Sequence, residues 1–428
     1  MSEWQTSPLD ECLDALLDYR GKSPPKSENG IPVLSAKVVK TSGILRPIEQ
    51  KIAVDYYPIW MVRGQPHLGD VVMTTEAPMG EVTQLDQETV QYALGQRIVC
   101  LRGKPNKLDN KFLRYLLASP AQQAVLASYA TGTTVLGISQ KDLRSVPITY
   151  PEFREQQRIG ELLGALDDKI ELNRRMNETL EAMARAIFRD WFVDFGPTRA
   201  KMAGHPPYLA PDLWSLFPAH LDPEGKPEGW AGGSLADFAS LNPESWARAN
   251  YPDSINYVDL SNTKLGTIEI HTDFAKATAP SRAQRILRPG DTIVGTVRPG
   301  NGSYALVSEQ DLTGSTGFAV LRPSKKIFRE VVYLAATSQD NIDRLSHLAD
   351  GGAYPAVPPE IVAGTPLTNA PERVFIQFSV AVNALIDRVE ANKRENRTLA
   401  ATRDLLLPKL MSGEVRVKGA KKHVGEAL

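Results

Sequence analysis

The sequence predicts a mixed α+β fold: two similar α/β domains separated by an antiparallel two-helix coiled coil, with internal pseudo-twofold symmetry. Three observations predict it. Ile159, Leu163, Leu166, Ile170, Asn173, Asn177, Leu180, Ala184, Ile187 and Trp191 follow a strict 4,3,4,3 spacing, the seam of a coiled-coil helix over residues 152–192. A second seam follows at Phe378, Val382, Leu385, Val389, Asn392, Asn396, Leu399, Arg403 and Leu406. The segments before the helices also repeat, with a shift of about 220 residues. GDVVMTTEAP at 69–78 matches GDTIVGTVRP at 290–299, VCLR at 99–102 matches AVLR at 319–322, and Gly132 and Pro147 match Gly351 and Pro366. A chance match of two leucine seams would not bring the strands and loops with it in the same order.

In chain order, residues 1–150 form the first domain, with strands expected at 31–39, 59–62, 70–74 and 97–101 and helices at 9–17 and 111–127. The first repeat helix occupies 151–195. A connector with seven prolines between Pro197 and Pro227 covers 196–228, and its Tyr208, Trp214 and Phe217 are expected to pack on a neighbour. The second domain spans 229–368, with strands at 254–259, 267–270, 291–296 and 317–321 and a helix at 329–337. The second repeat helix covers 369–411, ended or kinked by Pro408, and a tail runs over 412–428. That tail either extends freely or returns to the first domain.

Each seam carries two asparagines at the same two positions, where apolar residues would be more stable. Such residues fix register. Antiparallel pairing about the seam centres brings Asn173 near Asn396 and Asn177 near Asn392, along a bar of roughly 50 Å at 1.5 Å per residue. Non-identical domains held in this way suit an asymmetric, two-part target, because paired DNA readers place their elements about 34–36 Å apart.

At 428 residues with a formal charge of -1, the chain has room for several cores and excludes a uniformly basic surface. Cys12 and Cys100 are the only cysteines, so there is no disulfide framework, and six scattered histidines lack metal-ligand spacing. No apolar stretch is long enough for a membrane span and no basic n-region precedes an apolar core, so a cytoplasmic protein without membrane contact is expected. Chemistry is not expected of this chain. Asn242-Pro243-Glu244 lacks the second proline and the aromatic of a methyltransferase loop. Asp222-Pro223-Glu224-Gly225-Lys226 imitates a nuclease carboxylate cluster but sits in the connector without flanking strands, and no GxxxxGK[ST] loop exists.

The helix start PEFREQQRI, the segment ALDDKIELNRR, the junction FRDWFVDFGP at 188–197 and the ending RDLLLPKLMSGEVRV at 403–417 resemble specificity (S) subunits of type I restriction-modification systems, across essentially the whole chain. The resemblance implies two target recognition domains, each reading one half of an interrupted sequence in double-stranded DNA, with the helices as a spacer. It also implies two modification (M) subunits that carry S-adenosylmethionine and restriction (R) subunits that carry ATP and Mg, with no cofactor or metal on this chain. The sequence departs mildly from its own repeat at Arg403, which stands in the seam where the first helix has Ala184. A non-catalytic scaffold that spaces two protein-binding domains is the alternative.

Base edges are read by Arg, Lys, Asn and Gln, and other basic groups hold phosphates. Candidate DNA-binding residues beside the matched strands are Thr74, Thr75, Glu76, Arg102, Lys104 and Lys107 in the first domain. In the second they are Thr296, Arg298, Asn301, Ser303, Arg322, Lys325 and Lys326. In RPGNGS at 298–303, Gly300 and Gly302 allow backbone to approach a phosphate. Trp191, Phe192 and Phe195 are either core or part of an M-subunit surface.

Overall fold

The computed structural model describes residues 4–19, 23–132, 135–352 and 354–420. They fall into two compact units. Unit 1 comprises the described parts of Met1–Leu172 and Glu395–Leu428, and unit 2 is Asn173–Arg394.

Unit 1 is built on a four-stranded antiparallel sheet of β1 (Leu13–Asp18), β2 (Val71–Thr75), β3 (Met79–Gln84) and β4 (Ile98–Gly103), in the order β1-β4-β2-β3. Side chains alternate across it, as the period of two requires. Val71, Met73, Val99 and Leu101 face a core with Phe112, Leu113 and Leu117, whereas Val72, Ile98 and Cys100 face a second core with Val33, Leu34 and Leu94. The sheet is thus a middle layer. Above it lie α1 (Asn110–Ala118), α2 (Pro120–Ser128) and the start of the long α3 (Phe153–Phe192); below it, strand Ile31–Leu34 pairs parallel with Ala93–Leu94.

Unit 2 repeats this plan. Strands β5 (Ala239–Leu241), β6 (Thr292–Gly295), β7 (Tyr304–Leu306) and β8 (Phe318–Pro323) make an antiparallel sheet in the order β5-β8-β6-β7. The register is the same: Cys100 faces Val72 in unit 1, and Val320 faces Ile293 in unit 2. Helices α4 (Arg329–Ala336) and α5 (Gln339–Leu348) precede the long α6 (Glu372–Met411).

Each unit takes part of both long helices, and within each they run antiparallel. In unit 1, Ile159, Leu163 and Leu166 join a core with Leu399, Leu406 and Leu410. In unit 2, Ala184, Phe188, Trp191 and Phe192 pack with Phe375, Phe378, Val382 and Ile386. Trp191, Phe192 and Phe195 are therefore core residues, at most 9% exposed. Arg403 is accommodated in the seam by Asp167. Arg403 Nη1 donates to Asp167 Oδ1 at 2.7 Å, and the other carboxylate oxygen accepts from Arg114 (2.8 Å) and the Tyr115 hydroxyl (2.7 Å).

The connector folds onto unit 2: Phe217 is buried, with its ring 5.1 Å from that of Trp191, while Tyr208 stays half exposed against Trp214. The described tail returns to unit 1, where Val417 and Ala420 are buried in the core with Leu9; residues 421–428 lie outside the described residues.

Four local expectations are corrected. Residues 9–17 form a 3-10 turn (Leu9–Cys12) followed by β1, because pairing with β4 outweighs helix propensity. Residues 57–60, with Pro58 in the first turn, are a short helix rather than a strand. The helix expected at 111–127 is two: Ser119 ends α1 and caps α2 by accepting from Gln122, and Pro120 begins α2. Pro408 lies inside α6, whose last turn is anchored by buried Leu406 and Leu410.

Candidate nucleic-acid interface

The same turn opens the central hairpin of both units. Asp70 and Asp291 are buried to 1% exposure, and each side chain accepts from the backbone N–H three residues earlier, His67 (2.7 Å) and Arg288 (2.8 Å). Each carboxylate is gripped by an arginine in two parallel bonds. Arg102 donates Nε and Nη2 to Asp70 at 2.9 and 2.7 Å, and Arg322 donates the same pair to Asp291 at 2.8 and 2.8 Å. This paired geometry is the strong form of an ion pair. It also answers what two of the candidate readers do: Arg102 and Arg322 spend their guanidinium forks on buried aspartates.

At the far end of the hairpin strand the units match again. Ala77 (φ 53°) and Arg298 (φ 47°) are left-handed residues before Pro78 and Pro299. Glu76 bridges to Gly137 and Val297 to Ala356, so in each unit the exit loop closes against the corner. Thr74, Thr75, Thr296 and Ser303 are buried in or beside these strands, Thr74 accepting from the Glu81 N–H and Ser303 donating to the Leu260 carbonyl. Their side chains lie inside the fold, not on its surface.

The exposed candidates lie around these corners and along the sheet ends. Glu76 is 3.7 Å from Arg97, Lys104 is exposed, and Lys107 donates to the Glu11 carbonyl at 3.0 Å. Arg298 is exposed, with its guanidinium carbon 4.6 Å from the ring centroid of Tyr354, itself 70% exposed. Asn301 and Lys326 are exposed, and Lys325 pairs with Glu372 at 2.6 Å. Tyr354 escaped sequence reading; its place in the exit loop that matches residues 132–137 was the available signal.

The decoy motifs are turns. Asp222 accepts from the backbone N–H groups of Glu224 (3.0 Å) and Lys226 (2.9 Å), and the Lys226 ammonium contacts both carboxylates. Asn242 accepts from the Val320 N–H at 3.0 Å, and Glu244 is held by Arg288 and Arg322. Hydrogen bonds from Arg288, then Arg322, bring the Glu244 carboxyl from 4.5 down to about 2. A depressed carboxyl stabilises the fold above its unfolded pKa and loses that contribution as pH falls through the folded one. The stability gap between wild type and Glu244→Gln should therefore be constant from about pH 5 to 8 and shrink below about pH 4.5 toward pH 2, as urea titrations at stepped pH would register.

Among the seam asparagines, Asn392 Nδ2 donates to Asn177 Oδ1 at 2.8 Å, with both residues buried, and Asn396 Nδ2 donates to the Ile170 carbonyl at 3.4 Å. Asn173 is fully buried. Asn177→Ile alone leaves the Asn392 donor buried without its acceptor and should cost about 1–3 kcal/mol; adding Asn392→Ile should recover most of it. A double-mutant cycle by chemical denaturation measures that coupling, and additive losses would deny it.

Among the described residues no group of three or more His, Cys, Asp or Glu could hold a metal, and no helix is long and apolar enough to cross a membrane.

The geometry defines a class: a duplicated α/β scaffold, two units on one plan with different residues at equivalent corners. Residues 1–182 match the type I restriction modification DNA specificity domain. The chain is 23% identical over 400 residues to the HindI specificity subunit of Haemophilus influenzae, covering 81% of this chain and 86% of that one. It is 24% identical over 356 residues to the MjaIX specificity subunit of Methanocaldococcus jannaschii, covering 82% and 78%. The fold is similar to the crystal structure of the type I restriction-modification S subunit from M. genitalium, with TM-score 0.57 and 15% identity over 96% of each chain. Residues 1–182 thus match the specificity-domain family, and over most of its length the chain is similar to type I restriction-modification specificity subunits.

Proposed function

We propose that this chain selects the DNA sequence on which a type I restriction-modification complex acts, each unit reading one half of an asymmetric, interrupted target and the long helices setting the gap. The observation that carries this reading is the duplicated frame with unlike corners: Ala77 in one unit stands where Arg298, stacked on Tyr354, stands in the other. Equal frames place equivalent loops, and unequal loops read different bases. The exposed candidates Glu76, Lys104, Lys107, Arg298, Asn301, Lys325 and Lys326 face the DNA in this reading, while Arg102, Arg322 and the four buried hydroxyl residues hold the frame. Two M subunits with S-adenosylmethionine and R subunits with ATP and Mg supply the chemistry, in the cytoplasm.

Mapping methylated bases genome-wide in cells with and without this chain tests it. An interrupted motif that vanishes with the chain is expected. A bare scaffold predicts no motif and no binding that weakens steeply with salt. Arg298→Ala should change or weaken recognition of one half-site only; unchanged methylation and DNA affinity would make that corner structural.

A further inference from the structure

Unit 1 carries a concave site that the matched motifs did not single out. It has a volume of about 420 Å³ and is lined by Ser35, Lys37, Lys40, Gln50, Gln96 and Arg97, with Ala77 at its edge. Its floor is rigid. Strand Ile31–Leu34 and Ala93–Leu94 pair beneath it, and Val33, Leu34, Ala36 and Leu94 are at most 4% exposed. The backbone around the lining residues is pinned: the Gln50 carbonyl accepts from Val33 (2.9 Å), the Leu34 carbonyl from Gly95 (2.7 Å) and the Arg97 carbonyl from Thr75 (2.8 Å). A Cβ at Gly95 would come within 2.5 Å of the Leu34 oxygen, so the chain passes there only as glycine. Arg97 is held at φ 62°, a conformation that costs free energy and persists only where the surroundings impose it.

On this fixed backbone the side chains are uncommitted. Gln50, Gln96 and Lys40 are half-buried, and among the described residues none of their side chains makes a hydrogen bond or ion pair within the chain. Lys37 and Arg97 have only loose carboxylate neighbours, Glu49 at 3.4 Å and Glu76 at 3.7 Å. Each of these two amides offers a donor and an acceptor side by side to one recess, which suits a ligand edge that presents both in turn. The major-groove edge of adenine does so through N6 and N7, to which glutamine binds in two parallel bonds. At the matched corner of unit 2 the exposed Arg298 lies over Tyr354, whereas in unit 1 Ala77 stands at the edge of this recess.

Resting on the function proposed above, we propose that this recess is the base-reading site of unit 1: Gln50 and Gln96 take the major-groove edges of adenines in its half-site, and Lys40 and Arg97 hold the adjoining phosphates. The test is motif mapping by methylated-base sequencing in cells that carry the full chain with its partner subunits. Gln50→Ala and Gln96→Ala should each relax one adenine position in one half of the motif, lowering discrimination about 10-fold, with the other half unchanged. Gln96→Glu should turn preference away from adenine, because a carboxylate cannot donate to N7. Lys40→Ala should weaken binding across all sequences and reduce the salt slope by about 1. Retention of both halves in the two alanine variants and in their double variant would overturn the assignment while leaving the proposed function standing. Loss of methylation at every site in all the glutamine variants would also overturn it, since the residues would then be structural. A wild-type chain that directs no motif would sink the proposed function itself, which separates the two failures.

Discussion

Arg102→Met is expected to destabilise unit 1 by about 3–5 kcal/mol, the cost of breaking a buried ion pair and leaving its partner behind. Asp70 is 1% exposed, and both of its oxygens accept from Arg102, at 2.9 and 2.7 Å. Without the guanidinium the His67 N–H and the weak Cys100 thiol donor at 3.6 Å remain, too little for a carboxylate out of water. Arg102→Lys should recover little of the loss, since an ammonium cannot reproduce two parallel bonds. The effect should appear in urea unfolding of the full chain and in faster hydrogen exchange at β2 and β4. Asp70→Asn with Arg102→Met should lose less than Arg102→Met alone, because the stranded charge is gone. If Arg102→Met leaves stability intact and only weakens DNA binding, the arginine is a reader and not a clasp.

That arginine marks where sequence reading succeeds and where it stops. The Gly-Asp turn and the Leu-Arg strand were legible as a repeat, whereas the shared strand order and register of the two sheets appear only in the structure. A guanidinium meant for phosphate and one meant for a buried aspartate 32 residues away look alike in one dimension. Thr74 and Thr75 misled for a related reason: their hydroxyl groups suggest surface, but the strand is buried on both faces. Local segments failed where two signals competed. Leu13, Ala15 and Leu17 alternate as a strand does, yet LDECLDALLDY also fits a helix, and only the partner strand decides. Gln50 and Gln96 carry no local pattern, and the recess between them exists only once strands far apart in sequence have met.

Asn177 and Asn392 meet as the seam spacing expected, and the pattern departs where the helices widen their contact. Ile386 is buried where Leu385 was expected, and Phe188 joins Trp191 and Phe192, because the pair stops being a narrow seam when α4 packs beside it. Phe378 is the centre of that wider contact, and Phe378→Ala should cost about 3–5 kcal/mol, the loss of a large buried ring plus the cavity it leaves. Phe378 is 0% exposed and its ring lies 6.3, 5.8 and 5.1 Å from those of Phe188, Trp191 and Phe192. Two of those three partners sit near the end of α3, so the void opens where α3 and α6 meet inside unit 2. Relaxation is limited because Phe375 and Trp230 already fill the space around Phe192. Phe378→Leu should recover more than half of the loss, whereas Ile376→Ala, on the 40% exposed side of the same turn, should change stability by less than about 0.5 kcal/mol. Urea denaturation of the three variants, followed by tryptophan fluorescence, separates them. Equal losses for Phe378→Ala and Ile376→Ala would mean that this aromatic contact is not what holds the second half of the pair together.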